Sequence, residues 1–140
     1  MTALALCILF IWGNSLQTGE VSGDMSGTVM EWIKRILGPE SPITEYAIRK
    51  AAHFSEYALE GVCVVLVFLS FGTFHRRNAG NGLLIGAFTA LIDELIQAGV
   101  AGRTSAVTDV WIDIFGFGCG ALVAVGIVLL ARRKSIKIGI

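Results

Sequence analysis

The chain has 140 residues, of which 54% are hydrophobic and 16% charged, and its mean hydropathy is +0.72. Soluble domains carry roughly a quarter charged residues, so the composition argues against an ordinary soluble class and for a single membrane domain over residues 1–140. Eleven basic and eleven acidic residues cancel, and no basic stripe with interleaved aromatics suggests nucleic acid.

Residues 2–16 read as a first span. They lack the positive region that opens a secretory signal, and they fall short of the roughly 20 residues a crossing helix needs. The segment is therefore expected to start near the headgroups, or to lack a few preceding residues. Residues 17–43 form the longest polar connection, punctuated by Gly19, Gly23, Gly27, Gly38, Pro39 and Pro42. Within it Val29, Trp32, Ile33, Ile36 and Leu37 share one helical face. A short amphipathic helix over about 26–37 is expected, capped by Ser26 and stopped by Gly38-Pro39. With Trp32 on its apolar side it suits the membrane interface, and packing against the bundle end is an equal alternative.

Pro42 and Thr44 open a long helix from about Glu45 to Phe71, whose intramembrane part covers about 51–72. Two more spans follow over about 80–100 and 107–131, separated by a short turn with His75, Arg76 and Arg77 and by the loop 101–106. The expected fold class is all-α: an integral membrane bundle of four transmembrane helices with a short interfacial amphipathic helix in the first loop. Arg76 and Arg77 fall on the same side as the tail with Arg132, Arg133, Lys134 and Lys137, and the positive-inside rule makes that side cytoplasmic. Both termini are then inside. Cys7, Cys63 and Cys119 have no metal-type spacing and read as small hydrophobes, while Trp32 and Trp111 read as interfacial anchors.

The acidic residues break the apolar pattern. Glu56, Glu60, Asp93, Glu94, Asp109 and Asp113 all lie within expected spans, where one ionised side chain costs about 2.5–3.5 kcal/mol at mid-bilayer. On the second span Arg49, His53, Glu56, Tyr57 and Glu60 form one stripe down a helix. Asp93 and Gln97 share a face of the third span with Glu94 beside them, and Asp109 and Asp113 stack on the fourth. Gly82, Gly86, Ala90, Gly116 and Gly120 continue those faces and let backbones approach closely. By depth the three sets occupy one level, so a single polar cluster is expected near the outer face. Arg103, in the adjoining loop, is placed to pair bidentately with a carboxylate.

Arg49-Lys50-Ala51-Ala52-His53-Phe54-Ser55-Glu56-Tyr57 resembles the K-x-x-H-F-x-E-Y signature of VanZ-like membrane proteins. Asp93-Glu94, Gln97, Gly102-Arg103, Asp109 and Gly116 resemble that family's second signature, and Asn14-Ser15, Ser22 and Ser26 are similar to its serine-marked first loop. The resemblance covers nearly the whole chain. One departure is Asp113, which stands where the pattern has Asn. The resemblance implies a small bacterial protein of the inner (cytoplasmic) membrane, from a family whose founding member is linked to teicoplanin resistance. Some relatives carry a phosphotransbutyrylase label, yet no phosphate-cradling Gly loop follows a strand here.

Three readings of the cluster stay open. In the leading one, a polar, acidic pocket near the outer leaflet binds an envelope component, such as a lipid headgroup or a lipid-linked cell-wall precursor. Its ligand-binding residues would be Lys50, His53, Glu56, Tyr57, Asp93, Glu94, Gln97, Arg103, Asp109 and Asp113, with Arg103 and Lys50 holding an anionic group. In the second, the protein is a membrane-embedded hydrolase or transferase. His53, Glu56, Asp93, Glu94 and Asp109 would then be catalytic candidates, or Asp93, Glu94 and Asp109 would hold a hard divalent cation. No Ser, Cys or Thr sits beside His53 as a nucleophile, and no resident cofactor is otherwise expected. In the third, the cations merely neutralise the acids as a structural network; six carboxylates against Arg49, Lys50 and Arg103 make that balance incomplete.

Overall fold

The computed structural model describes residues 1–73, 75 and 78–138, without the side chains of 134–138. It is all-helical among them, with α1 (Thr2–Ser15), α2 (Gly19–Leu37), α3 (Glu45–Ser70), α4 (Ala79–Ala98) and α5 (Val107–Ile138). Helices α3, α4 and α5 are long and apolar enough to cross a membrane. The 14 residues of α1 reach only about 21 Å, well under the hydrocarbon thickness. It is followed by α2 after a sharp 104° bend, and the two count together as at most one broken span. The chain thus has three to four candidate spans and is a multi-pass helical membrane protein. Arg76, Arg77 and the side chains of Lys134 and Lys137, on which the expected orientation leans, lie outside the described residues.

The start of α2 differs from the expectation from sequence. Thr18, not Ser26, caps it by accepting from the Val21 amide, so the helix begins at Gly19 rather than near residue 26. Ser26 sits inside the helix, buried, donating back to the Ser22 and Gly23 carbonyls. The glycines read as breaks have a packing role at the N-terminal end, where Gly19 N–H donates to the Ala101 carbonyl at 3.0 Å. A Cβ on Gly19 would overlap the Gly102 backbone. The other end behaves as expected: Gly38 stops the helix at φ 95°, a conformation costly for any residue with a Cβ. Thr44 caps α3 by accepting from the Ala47 amide.

Close backbone approach sets the register of the bundle. Helices α3 and α5 run parallel in direct contact, and a Cβ on Gly116 or Gly120 would strike the backbone of Phe54 or Ala58. Gly61 meets the Phe117 carbonyl in the same way. Phe117 in turn lies over Gly86 of α4, and with Ile11, Tyr57, Val64 and Ala90 forms the small apolar core. Phe88, Leu95, Phe115 and Leu122 are exposed around the outside, as expected of lipid-facing residues. Fully buried positions include Glu60, Asp93 and Asp113. The bundle is apolar outside and polar within, the inverse of a soluble domain. All three cysteines are free; Cys7 is buried in the core and Cys63 and Cys119 are half-buried.

Candidate functional site

The contact of Phe54 with Gly116 and of Ala58 with Gly120 fixes what lies one turn above. Lys50 falls opposite Asp109 and forms an ion pair with it, and His53 falls opposite Asp113. Helix α4 brings Asp93 to the same point. His53 Nδ1 lies 3.8 Å from Asp93 Oδ2 and 3.7 Å from Asp113 Oδ1. Ionisable groups from three helices therefore meet at one level, as the depth argument expects.

Hydrogen bonds from α1 and α4 orient this centre. Gln97 Nε2 donates to Asp93 Oδ2 at 2.9 Å and to Ser15 Oγ at 3.1 Å. Asn14 Nδ2 donates to Glu56 Oε1 at 2.7 Å, tying the end of α1 to α3. Deeper in the bundle, Thr89 Oγ donates to Glu60 Oε1 at 2.8 Å. Tyr57 is wholly buried, and its hydroxyl has no hydrogen-bond partner among the described residues. Asn14, Ser15 and Thr89 were not among the expected site residues, although Asn14-Ser15 belongs to the family-like pattern of the first helix.

Two expected partners are placed elsewhere. Glu94 accepts from the Ser105 hydroxyl at 2.5 Å and the Ala106 amide at 2.8 Å, capping the loop that starts α5. Its Oε2 is thus used in this cap, and Asp109 is paired with Lys50. Among the described residues the group whose possible ligand atoms lie within 4.8 Å of one another is His53, Asp93 and Asp113, rather than the trio suggested by the sequence. Arg103 is no bidentate carboxylate partner either: its Nη1 donates to Ser22 Oγ at 2.7 Å. The close fit of Gly19 on Gly102 accounts for this, because it brings the first turn of α2 under the loop that carries Arg103. Gly102 itself sits at φ 73°. Removing the Glu94 carboxylate as Glu94→Ala is expected to cost about 1–3 kcal/mol through the two lost charge-assisted bonds. Thermal unfolding in detergent measures this, and an unchanged midpoint would refute the capping role.

Two hollows open onto this centre. One, of about 360 Å³, lies between α2 and α3, lined by Asn14, Ser22, Arg49, His53, Glu56 and Arg103 on its polar side. Met25, Val29, Ile48 and Ala52 form its apolar side. The other, of about 200 Å³, is shared by Lys50, Gln97 and Asp109, and Arg49, His53 and Arg103 border both. Among the described residues neither Arg49 nor Arg103 has a carboxylate within ion-pair distance. Arg49 thus belongs to the wall of both hollows, although it was not among the ligand-binding residues expected from sequence. Ser55, two residues after His53, faces outward and donates to the Ala51 carbonyl, so it offers no nucleophile to the imidazole.

The comparisons with known proteins agree with the motifs. Neither a curated protein nor a solved structure matches the chain. The family model described as VanZ/LLP1 matches residues 1–131, which include every side chain that builds the centre described above. The chain belongs to the VanZ/LLP1 family.

Proposed function

We propose that the protein is a cell-envelope membrane protein of a bacterium that binds the anionic headgroup of an envelope lipid or lipid-linked cell-wall precursor. The ligand lies in the hollow between α2 and α3. The observation that carries this reading is the pairing of Arg49 and Arg103, without carboxylate partners among the described residues, across a cavity with one apolar wall. Guanidinium groups suit phosphate oxygens through forked hydrogen bonds, and Met25, Val29 and Ile48 offer an apolar surface to the first methylenes of a chain. In the proposed topology both termini are cytoplasmic and the hollow faces the outer leaflet of the inner membrane, with α2 lying along the interface. The exposure of Val29, Trp32 and Ile36 on α2 supports that position.

The test uses short-chain phosphatidic acid and phosphatidylglycerol, with phosphatidylcholine as the zwitterionic control, titrated into detergent-solubilised protein. Arg49→Gln and Arg103→Gln are each expected to weaken binding of the anionic lipids about 10- to 100-fold, as loss of a charge-assisted bond of about 1.5–3 kcal/mol requires. Equal binding of the zwitterionic lipid, or affinity untouched by both changes, refutes the reading. A second reading, a membrane-embedded hydrolase or transferase acting on a lipid-linked substrate, is favoured by His53, which borders the hollow and touches both Asp93 and Asp113. Turnover of a lipid-linked phosphate by purified protein separates it from simple binding. A link to teicoplanin is proposed from family membership alone, and is checked by teicoplanin susceptibility with and without expression.

A further inference from the structure

We infer that His53, Asp93 and Asp113 form a binding site for one divalent cation of the Zn²⁺ or Mn²⁺ class. The inference stands apart from headgroup binding, which needs only the two arginines.

Charge balance is the first argument. Asp93 and Asp113 are each 0% exposed and approach the same imidazole nitrogen from opposite helices. Two carboxylates this close repel strongly in a low-dielectric interior unless a cation stands between them or a proton neutralises one. Among the described residues no Lys or Arg nitrogen lies within ion-pair distance of either carboxylate.

The second argument is independent of charge. His53 Nδ1, Asp93 Oδ1 and both carboxylate oxygens of Asp113 are buried without a hydrogen-bond partner among the described residues. Buried polar atoms are ordinarily satisfied, and two of these orphans, His53 Nδ1 and Asp113 Oδ1, face each other at 3.7 Å beside Asp93, which indicates a missing ligand. Geometry agrees: ligands about 2.1 Å from a tetrahedral ion stand about 3.4 Å apart. The two separations from His53, 3.8 and 3.7 Å, need only a few tenths of an ångström of side-chain movement, and the two carboxylates offer oxygens within 4.8 Å of each other. Gln97 holds Asp93 by its Oδ2, with Ser15 behind it, the kind of outer support that fixes a metal-binding carboxylate.

The ligand types select the class of ion. An imidazole nitrogen with two carboxylates suits Zn²⁺ or Mn²⁺, whereas Ca²⁺ and Mg²⁺ favour all-oxygen sets. Because His53 borders both hollows, the ion has a route inward and would keep a coordination position facing the cavity, open to water or an anionic oxygen. Asp113, where the family-like pattern has Asn, supplies the second carboxylate.

The experiment strips the detergent-solubilised full chain with chelator and titrates it with Mn²⁺ and with Zn²⁺. One equivalent is expected to bind, with affinity reduced at least about tenfold in Asp113→Asn and in His53→Gln and unchanged in Glu31→Gln, an exposed acid on α2. Pulsed EPR of the Mn²⁺-loaded wild type is expected to show one directly coordinated imidazole nitrogen, a signal that stands even if a variant fails to fold. The inference is overturned by the absence of stoichiometric binding up to about 1 mM. Binding that either variant keeps in full, or Mn²⁺ without nitrogen coupling, overturns it equally; Asp93 and Asp113 would then share a proton instead.

Discussion

Gly120→Leu is expected to abolish accumulation of folded protein, while Gly118→Ala two residues away is neutral or stabilising. A Cβ at residue 120 would overlap the Ala58 carbonyl, which is backbone and cannot rotate away, so α5 must leave α3. Overpacking a tight core by one or two methylenes costs about 1–3 kcal/mol, and a rigid backbone neighbour places Gly120→Ala at the upper end. Leu goes beyond that range. Gly118 has no atom within 4 Å of its would-be Cβ, so alanine there gains up to about 1 kcal/mol of helix propensity without a collision. The effect reaches the site as well. The contacts at Gly116 and Gly120 hold His53 against Asp113, so Gly120→Ala should also weaken whatever binds between those two residues. Membrane abundance and thermal midpoint in detergent check the pair. Equal behaviour of the two alanine variants would refute backbone contact as the organiser of the bundle.

What could be read from the chain alone follows from which forces are local. The stripe Arg49, His53, Glu56, Tyr57 and Glu60 was legible because helical periodicity alone puts those residues on one side of α3. The level shared by His53, Asp93 and Asp113 was legible from their places within three apolar segments. The choice of partners was not. Whether Glu94 meets a cation or the Ala106 amide depends on how residues 99–106 turn, and that depends on Gly19 pressing against Gly102 from 83 positions earlier. The same contact sends Arg103 to Ser22 rather than to a carboxylate. Glycine misled at α2 for a related reason. Gly19, Gly23 and Gly27 weaken an isolated helix by up to about 1 kcal/mol each, but tertiary packing at Gly19 outweighs the propensity.

Lys50→Met is expected to destabilise the protein by about 2–3 kcal/mol, and Asp109→Leu added to it to restore most of the loss. The ion pair joins the first turns of α3 and α5, with side-chain exposures of 19% and 12%. Breaking a fully buried pair costs about 3–5 kcal/mol because a lone charge remains in the interior, and the residual solvent contact here lowers that figure. Replacing both partners with apolar groups removes the stranded charge and is often close to neutral. The cycle also separates architecture from ligand handling. Lys50 borders the smaller hollow, yet its ammonium is held by Asp109, so affinity for an anionic lipid should stay within about threefold in the double variant, under 1 kcal/mol. Arg49 and Arg103, which have no such partner, should show the opposite pattern: little change in thermal midpoint and a large loss of affinity. If Lys50→Met instead removed lipid binding at unchanged stability, the ammonium would be a ligand group and the division between a structural pair and two binding arginines would be wrong.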